Sequence, residues 1–227
     1  MFPNFIKTLS SKAEFFIVIS LAFGYSIIVS AIIFINYYLS GASYQYSNSD
    51  FALVSNIIYQ VLILGMIFSF LNARDNSITV SNNFNLVKLL SISILLILSY
   101  YLFYYLFLIL ADWGNSTPFD RTSNLTVTNF SLIPIILFSA SNGFFEEIIV
   151  VGYVIPTVTE RRNSFYALNV SVLIRLLYHL YQGPVAALHI IPMGLVFGLI
   201  FIKYKNIWPL VIAHFVLDVI ALLQFNN

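Results

Sequence analysis

Glu146, Glu147, Arg175, His179, His189, His214 and Asp218 stand inside stretches of this sequence that are otherwise almost wholly apolar. These residue types do a small set of chemistry. A carboxylate takes a proton from water, an imidazole holds or passes one, and a cationic or N–H group stabilises developing negative charge. The stretch "SNGFFEEIIVVGYVIP", Ser141 to Pro156, sets Glu146 and Glu147 side by side among apolar neighbours. His214 and Asp218 are spaced i, i+4 and share one helix face, as do Arg175 and His179. Adjacent helical residues point about 100° apart. One of the two glutamates is therefore expected to react while the other anchors its helix or pairs with Arg175. A structural polar network, or a proton or ion pathway, draws on the same residue types inside a membrane. Those readings stay open at this level.

Composition fixes the elements that must hold these groups. The chain has 227 residues, 60% of them hydrophobic and 8% charged, with a mean hydropathy of +0.91. A soluble chain carries about 25% charged residues. This one belongs in a bilayer, and a multi-pass protein of the cell membrane is expected. Its richness in Ile, Asn, Tyr and Phe suggests a bacterial source. The absence of cysteine excludes disulfides and thiolate metal sites. A net charge of +1 without any basic run gives no reason to expect nucleic acid.

A hydrocarbon core of roughly 30 Å needs about 20 apolar residues per helix. Seven such runs are read, over 15–39, 51–71, 89–111, 130–155, 165–181, 185–202 and 207–224. The expected fold is all-α, a polytopic transmembrane helical bundle of about seven spans. It forms a single membrane domain over 1–227, with the motif-bearing core at about 130–224. The first run follows Lys7 and Lys12 as a signal peptide would, but its length reads as an anchor. Eight of the ten basic residues fall on one side of this arrangement: Lys7, Lys12, Arg74, Lys88, Arg161, Arg162, Lys203 and Lys205. Only Arg121 falls on the other side, and Arg175 lies within a span. The positive-inside rule then gives a cytoplasmic N-terminus and an external C-terminus.

At about 1.5 Å per residue, Glu146 lies roughly 15 Å deep, His214 roughly 11 Å and His179 roughly 21 Å. Three helices thus carry acids and imidazoles to overlapping depths. His189 has no spaced partner and reads as structural. "GLVFG", Gly194 to Gly198, reads as a small-xxx-small contact between helices. The aromatic run "YYLFYYLF", Tyr100 to Phe107, reads as a lipid- or helix-facing stripe, and the "NLT" at Asn124 as a chance sequon.

Taken together, "EEIIVVGY" at Glu146–Tyr153, "RLLYHLYQG" at Arg175–Gly183 and "HFVLD" at His214–Asp218 resemble the CAAX-protease and bacteriocin-processing family, CPBP or Abi. The resemblance covers roughly the last 90 residues. It implies an intramembrane endopeptidase acting near the C-terminus of lipidated or hydrophobic peptides, with bacterial members tied to bacteriocin maturation and self-immunity. Carried over by position, Glu146 would activate water and His179 would help to hold it. His214 and Asp218 would stabilise the oxyanion, with Glu147 in support. The Arg of the family pattern falls at Val151, and Arg175 is the candidate to supply that charge from a neighbouring helix. Glu146, His179 and His214 could ligate zinc in a three-ligand catalytic pattern. There is no H-E-x-x-H, however, and glutamate-activated water needs no metal, so no cofactor is expected to be required. The expected partners are a peptide or membrane-protein substrate and the lipid bilayer. The alternative is a non-catalytic membrane immunity or regulatory protein that keeps the family fold.

Overall fold

The computed structural model describes residues 4–40, 49–78, 85–113, 130–182 and 184–224, and all regular structure among them is helical. After the short α1 (Asn4–Thr8), α2 (Ser11–Ile19) runs through a π-helical turn (Ser20–Gly24) into α3 (Tyr25–Ser40). Next come α4 (Asp50–Ala73) and α5 (Leu86–Trp113). Helix α6 (Leu132–Glu146) passes through a second π-helical segment (Glu147–Tyr153) into α7 (Val154–Thr159). Helices α8 (Ser164–His179), α9 (Pro184–Tyr204) and α10 (Trp208–Gln224) complete the chain, with a 3₁₀ turn (Leu180–Gln182) after α8. Each of the seven apolar runs is thus a helix or a chain of helices.

Helices are what apolar segments in lipid must form, because each backbone donor and acceptor is then satisfied within the segment. Polar residues mark the helix starts: Ser10, Ser49 and Asn163 accept hydrogen bonds from the amides of Ala13, Ala52 and Tyr166. By length and apolarity, four stretches can cross a membrane: Ser11–Asn36, Asp50–Ala73, Leu86–Leu106 and Leu132–Thr159. Leu188–Tyr204 and Trp208–Gln224 are apolar but shorter. Helix α8 is shorter still, at 16 residues, and turns Ser171 and Arg175 inward.

The chain is a helical membrane bundle whose centre and rim differ sharply. Leu132–Thr159 is 61% buried, against 17–28% for the three spans before it. On those outer spans Ile28, Ile32, Leu62, Leu95 and Leu98 are more than half exposed, an apolar face that lipid covers. Contacts tie together the segments that carry Lys7, Lys88 and Lys203. Lys7 pairs with Asp75 at 2.9 Å, and Lys88 lies 4.7 Å from the Tyr204 ring, beside Lys203. Arg121 and the Asn124 sequon lie outside the described residues.

Small residues set the closest helix contacts. A methyl group built on Gly143 would stand 3.1 Å from the Phe215 amide nitrogen, 3.2 Å from the Val211 carbonyl oxygen and 3.4 Å from His214 Cβ. Helices α6 and α10 can approach this closely because position 143 has no side chain. Gly194 and Gly198 do the same for α9 against α8, where a Cβ would meet Val172 at 3.1 Å and Leu168 at 2.3 Å. Their small-xxx-small spacing is a packing seam. His189 packs on Tyr104, 4.9 Å between ring centroids. In the aromatic run, Leu102, Tyr105 and Leu106 face outward.

Candidate active site

Glu146 ends α6 and Glu147 opens the π-helical segment, so the change of helical winding falls between the two carboxylates. A π-turn closes i→i+5 hydrogen bonds and rotates less per residue than an α-turn. Both acids nevertheless reach one group, because a long side chain from α8 comes between them. The guanidinium of Arg175 lies between them, Nη1 at 3.5 Å from Glu146 Oε2 and Nη2 at 2.9 Å from Glu147 Oε1. Val151, at the family's Arg position, is fully buried in the apolar core, and the cation facing Glu147 comes from α8 instead.

The two glutamates are held differently. Glu147 has no exposed surface and its oxygens are taken by Arg175 and by His214 Nδ1 at 2.7 Å. Glu146 receives the Tyr178 hydroxyl on Oε2 at 2.5 Å and the Asn142 amide on Oε1 at 3.2 Å. His214 Nε2 stands 3.9 Å from Glu146 Oε2 and 3.5 Å from Asp218 Oδ1. Those separations exceed direct hydrogen bonds and leave Nε2 free to serve a third group, such as water. Asp218 also accepts from Asn142 Nδ2 at 2.9 Å, and its side chain keeps 24% of its surface exposed.

His179 joins the group through its neighbours. Its Nδ1 lies 3.0 Å from the Arg175 carbonyl oxygen, which can only accept, so Nδ1 carries the proton and Nε2 is the free nitrogen. Its ring packs against Tyr178, 4.5 Å between centroids. Ser30 on α3 fixes this end of α8, donating to the Tyr178 carbonyl at 3.1 Å and accepting from the Tyr181 amide at 2.8 Å. Ser171 ties α8 to the π-segment by donating to the Val150 carbonyl at 2.9 Å.

The structure therefore brings Glu146, Glu147, Arg175, His214 and Asp218 into one connected group, with His179 attached through Arg175 and Tyr178. Among the described residues, no group of three or more His, Asp or Glu side chains is disposed to hold a metal ion. His214 Nδ1 is committed to Glu147, and Glu146 Oε2 to Tyr178.

Three further members lack an obvious signal of their own. Asn142 stands one turn before Glu146, Tyr178 lies three residues after Arg175, and Gln60 is one of two amides, with Asn56, within its apolar stretch 51–71. Helical spacing from the acids would have found the first two, and the rarity of a polar side chain in mid-span the third.

A carboxylate pair, a buried guanidinium and two imidazoles, carried on three packed helices of a membrane bundle, define a membrane domain built around an acid–imidazole centre. Residues 128–220 match the family model described as Type II CAAX prenyl endopeptidase Rce1-like. The match is a similarity over that segment, in keeping with the CPBP/Abi resemblance, and with the apolar helices it points to a membrane protein. No curated protein and no solved structure matches the chain.

Proposed function

We propose that the protein is an intramembrane endopeptidase that hydrolyses a peptide bond with water activated by Glu146. The observation that carries this reading is the division of labour between the glutamates. Glu147 is saturated by Arg175 and His214, while Glu146 faces His214 Nε2 across 3.9 Å, a gap suited to a bridging water. In the proposed reaction Glu146 takes a proton from that water as its oxygen attacks the scissile carbonyl carbon. His179 Nε2 helps to orient the water. His214, backed by Asp218, donates to the carbonyl oxygen as it becomes an oxyanion. The C–N bond then breaks, and the proton held by Glu146 leaves with the amine. No step passes through a metal.

The family model names a prenyl endopeptidase, so the substrate class proposed is a lipid-modified or apolar peptide cut near its C-terminus. A place in bacteriocin maturation or self-immunity, in a bacterial plasma membrane, is part of the same proposal. The test is cleavage of a quenched-fluorescent peptide bearing S-farnesyl cysteine and three further residues, beside its unmodified counterpart. Purified wild type should cleave at least one of them with chelator present, and Glu146→Ala should lose about 10²–10⁴ in rate. Undiminished cleavage by a folded Glu146→Ala protein would end this reading in favour of a non-catalytic immunity or regulatory role.

A further inference from the structure

Asn142 bridges two acids. Its Nδ2 lies 3.2 Å from Glu146 Oε1 and 2.9 Å from Asp218 Oδ2. Ionised carboxylates only accept hydrogen bonds, so the NH₂ end of the amide must face them, offering one proton to each. Its Oδ1 is thereby turned towards α4, where Gln60 Nε2 donates to it at 2.8 Å. The other end of Gln60 is fixed in turn, because the Ser141 hydroxyl donates to its Oε1 at 2.6 Å. Gln60 is only 7% exposed. Reversing either amide would set acceptor against acceptor in a water-poor interior, where an unmade hydrogen bond is expensive. The chain of bonds therefore has one sense, running from Ser141 through Gln60 and Asn142 to the two carboxylates.

We infer that Gln60 is a positioning residue of the active site, acting through Asn142 to hold Glu146 and Asp218 at a fixed separation. The inference rests on the peptidase reading above and extends the site beyond the Rce1-like segment, since Gln60 lies outside residues 128–220. The other groups around the bridge come from the remaining elements: Arg175 and Tyr178 of α8 on Glu146, and His214 of α10 beside both acids. None of them can orient the Asn142 amide. Without Gln60 the Asn142 Oδ1 loses its donor, and the amide that both acids share is held from one side only.

The full-length protein in detergent, with the farnesyl-cysteine peptide as probe, provides the test. Gln60→Met keeps the volume and removes the amide. Its kcat should fall about tenfold with KM within about twofold of wild type, since the loss falls on aim and not on binding. Adding Gln60→Met to Asn142→Ala should slow the enzyme no further, because the two residues act as one unit. Gln60→Glu has nearly the native shape. Its neutral carboxyl can donate to Asn142 Oδ1 and its charged form cannot, so its rate relative to wild type should fall as pH rises. A residue that only filled space would show neither that pH dependence nor the non-additivity.

One arm needs no turnover. Infrared carboxyl bands of Glu146 and Asp218, assigned with Glu146→Gln and Asp218→Asn, should shift in Gln60→Met. Unchanged bands, or a Gln60→Met kcat within about twofold of wild type, overturn the inference. Wild-type rates in Glu146→Gln would instead overturn the peptidase reading, and the infrared arm would still decide whether Gln60 orders the two carboxylates.

Discussion

Two buried polar clusters occupy this bundle, and they are built on opposite plans. At one end Glu14, 3% exposed, meets Arg74 with Nε to Oε2 at 2.5 Å. Glu14 Oε1 accepts from Asn76 Nδ2 at 2.8 Å and from the Tyr153 hydroxyl at 3.2 Å. Arg74 gives its remaining nitrogens to the carbonyls of Ile6 and Leu9. There is one acid, one base and a partner for each polar atom of the pair. In the centre, Glu146, Glu147 and Asp218 face one permanent cation, Arg175, whose Nε has no hydrogen-bond partner among the described residues. His214 Nε2 stands beyond hydrogen-bond distance from both nearby acids. A saturated pair holds helices together, whereas a cluster with surplus acid and an unspent imidazole nitrogen is stocked for chemistry.

The largest expected effects come from removing the cation from each cluster. Arg175→Ala leaves two buried carboxylates facing each other and should destabilise the protein by about 3–5 kcal/mol. Any folded fraction should be inactive, because Glu147 no longer holds its place. Arg74→Ala strands only Glu14 and should fall at the lower end of that range, about 3 kcal/mol. Its folded fraction should keep the wild-type kcat. Thermal melting in detergent, combined with active-fraction kinetics, separates the two. If Arg74→Ala lowered kcat as Arg175→Ala does, the clamp would be part of the site and the contrast would fail.

The same contrast explains what could be read from the sequence. The acid–imidazole cluster was legible because its members sit in mid-span, where an ionisable side chain is too costly to lie there by chance. The Glu14 clamp was not. Glu14 stands one residue before the first apolar run and Arg74 just after the second, so both passed for loop charges. Only the fold brings them together, across a separation of 60 residues. The seven helices were legible from hydropathy, and so was the short reach of α8 and α10, since the apolar runs 165–181 and 207–224 end within two residues of the observed helices. The π-helical segment was also hidden. Nothing in "EEIIVVGY" announces that the winding changes at Glu147. Gly143 was quoted within its stretch without a role, since a close approach shows only when the partner helix is in place.

Gly143→Ala sharpens the comparison on a smaller scale. The added methyl meets backbone atoms of α10 at 3.1 and 3.2 Å, and neither can rotate away. Helix α10 must shift outward by a few tenths of an ångström, at about 1–3 kcal/mol for an overpacked contact. His214 moves with it, so its 2.7 Å bond to Glu147 should lengthen and kcat should fall by about tenfold. Gly65 is the control: a Cβ there meets nothing within 4 Å, so Gly65→Ala should leave kcat unchanged. Equal kinetics in the two alanine variants would show that the α6–α10 spacing does not set the site.

The smallest expected effect has the opposite sign and tests the surplus-acid idea directly. Asp218→Asn removes one of the three negative charges while keeping an oxygen able to accept from the Asn142 amide. If the central cluster is held under mutual repulsion, relieving it should stabilise the protein by about 1 kcal/mol, a rise in melting temperature of about 2–4 °C for a chain of this size. Activity should fall at the same time, because His214 Nε2 loses the carboxylate that backs it at 3.5 Å. In the clamp the corresponding change, Glu14→Gln, removes the single acid from a balanced pair and leaves Arg74 buried without its counter-ion. That variant should melt lower. Opposite shifts for two acid-to-amide substitutions in one protein would mark one carboxylate as kept for function against stability, the other for stability alone. A lower melting temperature in Asp218→Asn would mean that its charge is needed to hold His214 in place, and the central cluster would then count as structural by the same measure as the clamp.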